Sequence, residues 1–400
     1  MKMRVFERIA GVVALIAVIA AWIIGGFGSQ KDLSASLKRA LPMASRFEPA
    51  GDGIYAGHAD LLGGLDLVVG YVTITRTSGY GGPMQVAVGL NRFGKLAGVS
   101  VVEHKETPPF YNRIKIDDYI DKLVGKPHSD NFTPGDDIDA VSGATVTLTA
   151  LTTAVRRGGD RLASEALGLE VSRSEIGNSH IGFPELVLIL LFAASFLTYS
   201  RPLGDRPKAR KIFSWVTRLA GLALIGFVLT IPLSIININS LLIGYAPDWG
   251  VSNYWYLMIV GALLPLILVN KDVYCQCICP FGAAQDLLKA GAGERKFVPP
   301  KRAVIALRWV QRALALTAIV TGLLYRNPAR LDYEVFGTFF TLTGTVVQLA
   351  LLGVVLIASL FLVRPWCGFL CPLRAVSDYA RMLRLWGLET ARRLAAESKA

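Results

Sequence analysis

The pattern Cys-x3-Cys-Pro-x2-Ala-x2-Asp is written twice in this chain. It runs from Cys275 through Cys279 and Pro280 to Asp286, and again, 92 residues on, from Cys367 through Cys371 and Pro372 to Asp378. Each copy closes a long apolar stretch and opens a basic one. The second half of the molecule is therefore expected to be one unit built twice, an apolar hairpin ending in a pair of thiols. All five cysteines of the chain fall inside the two copies, a placement that points to a paired thiol site.

The apolar stretches decide the solvent. Of the 400 residues, 52% are hydrophobic and 18% charged, the balance of a membrane protein with a soluble portion of modest size. Crossing a hydrocarbon core takes roughly 20 apolar residues, and about six windows qualify: Ile9–Phe27, Ile181–Tyr199, Ile212–Ile236, Tyr254–Val269, Ala303–Leu324 and Thr341–Val363. Short loops rich in Lys and Arg stay in the cytoplasm. Such residues precede the first window (Lys2, Arg4, Arg8) and follow the second, fourth and sixth, as in Arg206 to Lys211, Lys289 to Arg302, and Arg364 to Arg393. Both cysteine motifs and both termini are thus expected in the cytoplasm of a multi-pass inner-membrane protein. The net charge of +12 reads as this topology signal, with no nucleic-acid partner implied. Residues 1–28 are expected to be a retained anchor, 29–180 an external, periplasmic domain, and 181–400 a membrane domain of five helices.

The external segment alternates apolar and polar residues from Val68 to Val102, with turn formers at Gly79 to Pro83 and Asn91 to Gly94. That pattern predicts an antiparallel meander. Helical stretches are expected at Tyr111–Leu123 and Leu148–Leu167, so the domain is α+β. Just before the second helix stands Asp139-Ala-Val-Ser142-Gly143-Ala144-Thr145. Small residues opening a helix can hold a phosphate on backbone N–H groups and the helix dipole, or serve as an ordinary N-cap; the residues alone leave both readings open. In its wider context the segment resembles the flavin-attachment signature of the FMN-binding domain of RnfG and NqrC. The resemblance implies FMN esterified through its phosphate to Thr145 by a flavin transferase that recognises Asp139. It also implies that Gly79-Tyr-Gly81-Gly82-Pro is the glycine turn of that family and His104-Lys-Glu106-Thr107-Pro its loop beside the flavin ring. Here Pro109-Phe110-Tyr111 stand where the family has Gly-Leu-Gly.

A pseudo-twofold relation between the two hairpins would bring Cys275, Cys279, Cys367 and Cys371 together, enough for an iron–sulfur cluster or another metal. Dithiol exchange and inert core packing stand as the other readings. Cys277 has no counterpart in the second copy. Pro280 and Pro372 suit the first turn of a following helix. An FMN-binding domain followed by five spans with two C-x3-C-P motifs resembles the NosR/NirI family of membrane flavoproteins. That resemblance implies electron transfer from quinol or a cytoplasmic donor, through the thiol-ligated centre and FMN, to a periplasmic reductase or its maturation factor. The other function class is a redox-sensing regulatory or assembly protein. Thiols and flavin would then lie on opposite sides of about 30 Å of hydrocarbon, with no carrier between them visible in the sequence.

Overall fold

The computed structural model describes residues 2–26, 33–61, 65–79, 82–105, 119–139, 145–171, 182–199, 207–245, 249–293, 297–342 and 344–397. The N-terminal part is a five-stranded antiparallel sheet in sequence order: β1 (Arg46–Gly51), β2 (Ile54–Leu61), β3 (Leu65–Ser78), β4 (Pro83–Asn91) and β5 (Leu96–His104). The expected meander is present, preceded by two strands whose polar composition hid them. Alternation along β4 assigns its two faces. Met84, Val86, Val88 and Leu90 point to a core shared with Leu148, Leu151, Ala154 and Val155, while Ala87 joins Leu37, Leu41 and Val72 on the other side. A helix covers each face, Thr145–Glu165 and Ser34–Ala40. Burying a Leu such as Leu148 or Leu151 contributes roughly 1.5–3 kcal/mol, and Leu151→Ala would cost about 2–5 kcal/mol. Gly158 lets the long helix sit on the strand, since a Cβ there would lie 2.8 Å from Val88. Of the helix expected at Tyr111–Leu123, only the end is described, a turn at Tyr119 and a single 3-10 turn at Asp121–Leu123; the rest lies outside the described residues. The later helix begins at Thr145 and ends at Glu165, earlier at both ends than the expected Leu148–Leu167.

The rest of the chain is helical. Among the described residues three helices are long and apolar enough to cross a membrane, Phe6–Gly26, Lys211–Val228 and Lys301–Leu324, and three shorter apolar ones are Glu185–Leu197, Asn253–Val269 and Val346–Phe361. Their outer faces carry bare Ile9, Val13, Ile16, Leu190, Leu264, Ile267, Val354 and Ile357. Helices that expose such rows of large apolar side chains are built for lipid, where no water competes for them.

Two of the expected spans differ from the structure. The window Ile212–Ile236 is not one helix. A helix from Pro207 passes through a π segment at Leu222–Val228, breaks, and resumes as Ile235–Ile243. The cause is local: Pro232 has no N–H to give, and the freed groups find partners in other segments. Leu233 N donates to Tyr274 Oη at 2.9 Å, Ile235 N donates to both carboxylate oxygens of Glu334 at 3.1 Å, and Ser234 caps the new helix. The last window begins at Val346 rather than Thr341 and ends at Phe361. The residues before it fold back into the helical core, where Val335 and Phe336 of the short helix region Phe336–Thr341 lie buried against Phe281 and Trp366.

Candidate cofactor sites

Each cysteine motif ends in a helix whose first residue is its proline, Pro280–Gly291 and Pro372–Glu397. Cys279 and Cys371 therefore stand at helix N-termini, where free N–H groups stabilise a thiolate. Cys279 accepts from the backbone of Phe281 and Gly282, and Cys371 from that of Arg374. Gln285 Nε2 lies 3.5 Å from Cys367 Sγ. Burial pushes all four thiols up, Cys279 to about 12. After burial and Asp272, charge on Cys279, Cys371 and Cys367 raises Cys275 further, and charge on Cys367 raises both Cys279 and Cys371. The four thiols thus lie within reach of one another's charge, Cys371 buried and Cys275, Cys279 and Cys367 half-buried, and a metal taking them as thiolates must displace their protons. All five cysteines are free thiols. Among the described residues, no three His, Cys, Asp or Glu side chains are gathered as a single metal ion would need. One zinc ion would draw four thiolates to about 2.3 Å from a single point. Cys275, Cys279, Cys367 and Cys371 are the donor set that would hold a four-iron cluster, which would supply one-electron exchange. Cys277 lies buried in the hydrophobic core.

The two copies face each other through equivalent positions. Three residues before its first cysteine, the second copy has Arg364, whose Nε and Nη2 donate to the Asp286 carboxylate of the first copy at 2.8 and 2.5 Å. The first copy has Asp272 at that place, and it reaches Asp378 of the second copy through Arg381, at 3.7 and 3.3 Å. Exchange of partners between equivalent positions is the signature of a pseudo-twofold axis between the copies. Further polar groups complete the cage. Gln285 Oε1 accepts from Trp366 N at 3.0 Å, Gln311 Nε2 donates to Cys371 O at 2.8 Å, and Arg218 Nη1 donates to Asp286 at 2.9 Å. Gly221 allows its helix to touch the first motif, since a Cβ would lie 2.2 Å from Ile278 O. Sequence reasoning missed Gln285, Gln311, Arg218 and Arg364, although a lone amide or guanidinium in an apolar run is a usable signal.

At the other site, Gly82, His104 and the backbone of Thr145 are the expected flavin residues that the structure brings to one end of the sheet. His104 pairs with Met84 in the sheet, and a Cβ on Gly82 would lie 2.8 Å from Lys105 Cβ. The helix that Thr145 opens runs alongside β4, with Gly158 on Val88 and the Ala154 carbonyl on Thr75, which pairs with Val86. From Ala154 back to Thr145 is roughly 14 Å at 1.5 Å per residue, and from Val86 back to Gly82 about the same at 3.4 Å per residue. Thr145, Gly82 and His104 therefore lie at the same end. Asp139 is exposed and paired with Lys122 at 3.3 Å. Near it, Tyr119 is buried, and its hydroxyl has no partner among the described residues; burial first, then Asp139 and Asp137, push it up to about 12. An orphaned buried phenol near Asp139 suits a hydrogen bond to a phosphate or flavin oxygen. Gly81, Glu106, Thr107, Ser142, Gly143 and Ala144 lie outside the described residues, as does the side chain of Thr145.

The two sites are joined by one loop. Gly82 faces Pro328, whose Cγ would be 3.3 Å from a Cβ on Gly82, and Asn239 Nδ2 holds the Pro328 carbonyl at 3.1 Å. Five residues on, Tyr333 Oη donates to Leu370 O at 3.2 Å, beside Cys371. A five-residue step spans at most about 18 Å.

A family model described as FMN-binding domain matches residues 79–159, and one described as 4Fe-4S binding domain matches residues 253–299 and 345–389, one cysteine motif in each piece. The RnfG component of the ion-translocating oxidoreductase complex is 36% identical in Salmonella typhi over 101 residues, 23% of this chain and 49% of that protein. Its Escherichia coli K12 counterpart is 32% identical over 115 residues, 26% of this chain and 55% of that protein. Protein NirI of Paracoccus denitrificans is 29% identical over 210 residues, 48% of this chain and 30% of that protein. The chain thus spans about half the length of the RnfG relatives it matches. The matches select iron–sulfur among the readings of the thiols, and FMN for the sheet domain.

Proposed function

We propose that this chain, a NosR/NirI-like flavoprotein joining an FMN-binding domain to a 4Fe-4S binding domain, carries electrons across the cytoplasmic membrane. Electrons enter from membrane quinol or a cytoplasmic donor at the cluster held by Cys275, Cys279, Cys367 and Cys371. They leave from FMN to a periplasmic reductase or its maturation factor. FMN exchanges two electrons or one and the cluster exchanges one, so the pair can split a two-electron donor into single steps. The flavin is attached through its phosphate to Thr145 by a flavin transferase, in a cradle made by Ser142, Gly143 and Ala144 with Asp139 beside it. Gly81, Gly82, His104, Glu106 and Thr107 flank its ring. The chain crosses the bilayer about six times with this domain in the periplasm.

The observation that carries the reading is the loop from Pro328 to Tyr333, which touches the flavin end of the sheet domain and the segment of Cys371. It runs from one candidate site to the other, which supports transfer between the two groups without a third carrier. Purified anaerobic protein holding both groups should bleach its flavin absorbance within a mixing experiment when quinol is added. Cys371→Ala should reduce that rate to near zero while flavin content stays unchanged. Equal rates in the variant would remove the cluster from the path, and slow equilibration in the wild type would favour a redox sensor. The denatured protein should exceed its chain mass by one FMN less water, and Thr145→Ala should lose that mass.

A further inference from the structure

The repeat is symmetric in its thiols and antisymmetric in charge. At the position three residues before the first cysteine, one copy has Asp272 and the other Arg364. Each sits against the motif backbone of the first copy: Asp272 Oδ1 accepts from Cys275 N at 3.1 Å, and Arg364 Nη1 donates to Cys275 O at 3.0 Å. Each belongs to a group of three charges. Around Asp286 stand two guanidiniums, Arg364 and Arg218, with side-chain exposures of 13%, 19% and 24% for Asp286, Arg364 and Arg218. Around Arg381 stand two carboxylates, Asp272 and Asp378. One flank of the site therefore holds a surplus cation and the other a surplus anion, both largely out of water, where charge acts over a longer range than at a surface. Arg364 acts on Cys279 and Cys367, and Asp272 on Cys275.

We propose that Arg364 and Asp272 are opposed positioning residues that set the reduction potential of the cluster held between the two copies, Arg364 raising it and Asp272 lowering it. Reduction adds one electron to the centre and no bond is made or broken. A fixed cation beside the thiolates favours the reduced state, and a fixed anion disfavours it. The repeat explains the need. Four thiolates bring negative charge into a partly buried site, and two identical halves could offer only identical neighbours. Divergence at this pair of positions, together with Arg218 from outside the repeat, gives the site one cationic wall without changing a ligand.

This inference rests on the cluster reading above, and the test separates the two. Full-length protein is purified without oxygen, its iron and acid-labile sulfide are counted, and the cluster is titrated potentiometrically by electron paramagnetic resonance. Arg364→Gln should shift the midpoint downward and Asp272→Asn upward, with Asn still able to accept from Cys275 N. The double variant should return close to wild type. Arg364→Lys keeps the charge but not the two-pronged contact with Asp286, so its midpoint should stay near wild type; this variant separates charge from architecture. Midpoints that do not move, that move in the same direction for Arg364→Gln and Asp272→Asn, or that fall as far for Lys as for Gln overturn the proposal. A wild type without iron and sulfide overturns the cluster reading itself.

Discussion

Among single residues, the cysteines are sorted by what their loss leaves behind. A cluster shared between copies loses its anchor when any one of four ligands goes, because the remaining three cannot complete the coordination. Cys279→Ala and Cys371→Ala are therefore expected to lower iron per chain to a similar extent, with the double variant little worse than either. Cys277→Ala should keep its iron, because that side chain packs in the core and has no partner position in the other copy. Two independent sites would instead give half the iron in each single variant and none in the double, as iron analysis of anaerobic preparations would show. The four expected ligands stand out in the sequence because the spacing is repeated to the residue, and each copy falls in one piece of the 4Fe-4S match. The groups that cage them were harder to see: Gln311 and Arg218 come from other helices and reach the site only through the fold, and Arg364, three residues before Cys367, meets Cys275 of the other copy only in the structure.

Among elements, the broken helix and the inward loop do the most to shape the molecule, and both were invisible to hydropathy. Leu229, Ile231, Leu233, Ile235 and Ile236 read as an uninterrupted span by apolarity, and only Pro232 hinted that the backbone hydrogen bonds stop there. The loop from Arg326 to Val335 carries charges and so reads as a surface turn. In the structure it brings Glu334 to the new helix start and sets a part-buried Asp332 beside it. Burial pushes the Asp332 carboxyl up to about 6, above an ordinary aspartate near 3.9. For an acid with a raised folded value, the folded state binds the proton more tightly, so stability is lost as pH rises from about 4 through about 6. Asp332→Asn removes that penalty while still accepting from Glu334 N. It should raise the melting temperature at pH 8 and change it far less at pH 4. A melting temperature that the substitution lowers equally at both pH values would show that the charge is not the cost there.

At the scale of the whole molecule, the contacts sort the chain into two ends, and the basic residues say which end is which. The first helix runs alongside Lys301–Leu324 in the same direction, Glu7 meeting Arg312 at 3.3 Å and the Trp22 carbonyl meeting Arg326 at 3.2 Å. Arg8 pairs with Glu389, and Arg384 caps the Leu268 carbonyl at 2.8 Å. The N-terminus, the end of the fourth apolar helix and the C-terminal helix are therefore together at one end, with the cysteine motifs. At the other end Arg326 leads into Pro328 and the sheet domain at Gly82. Lys and Arg collect at the first end, the charge bias of a cytoplasmic face, and the proposed periplasmic position of the flavin domain rests on it. The apolar helices were legible because lipid demands long apolar runs, and among the described residues three are long enough to cross a membrane and three are shorter; the loop that runs between the two candidate sites follows no such rule. A reporter active only outside the cytoplasm should work when fused after Gly158 or Pro247 and fail after Leu287 or Arg384. Activity at Leu287 would put the thiols outside and reverse the direction of electron flow. Activity at both Gly158 and Leu287 would mean that the helices between them do not cross as an odd number of spans, and the cluster would then share a side with the flavin.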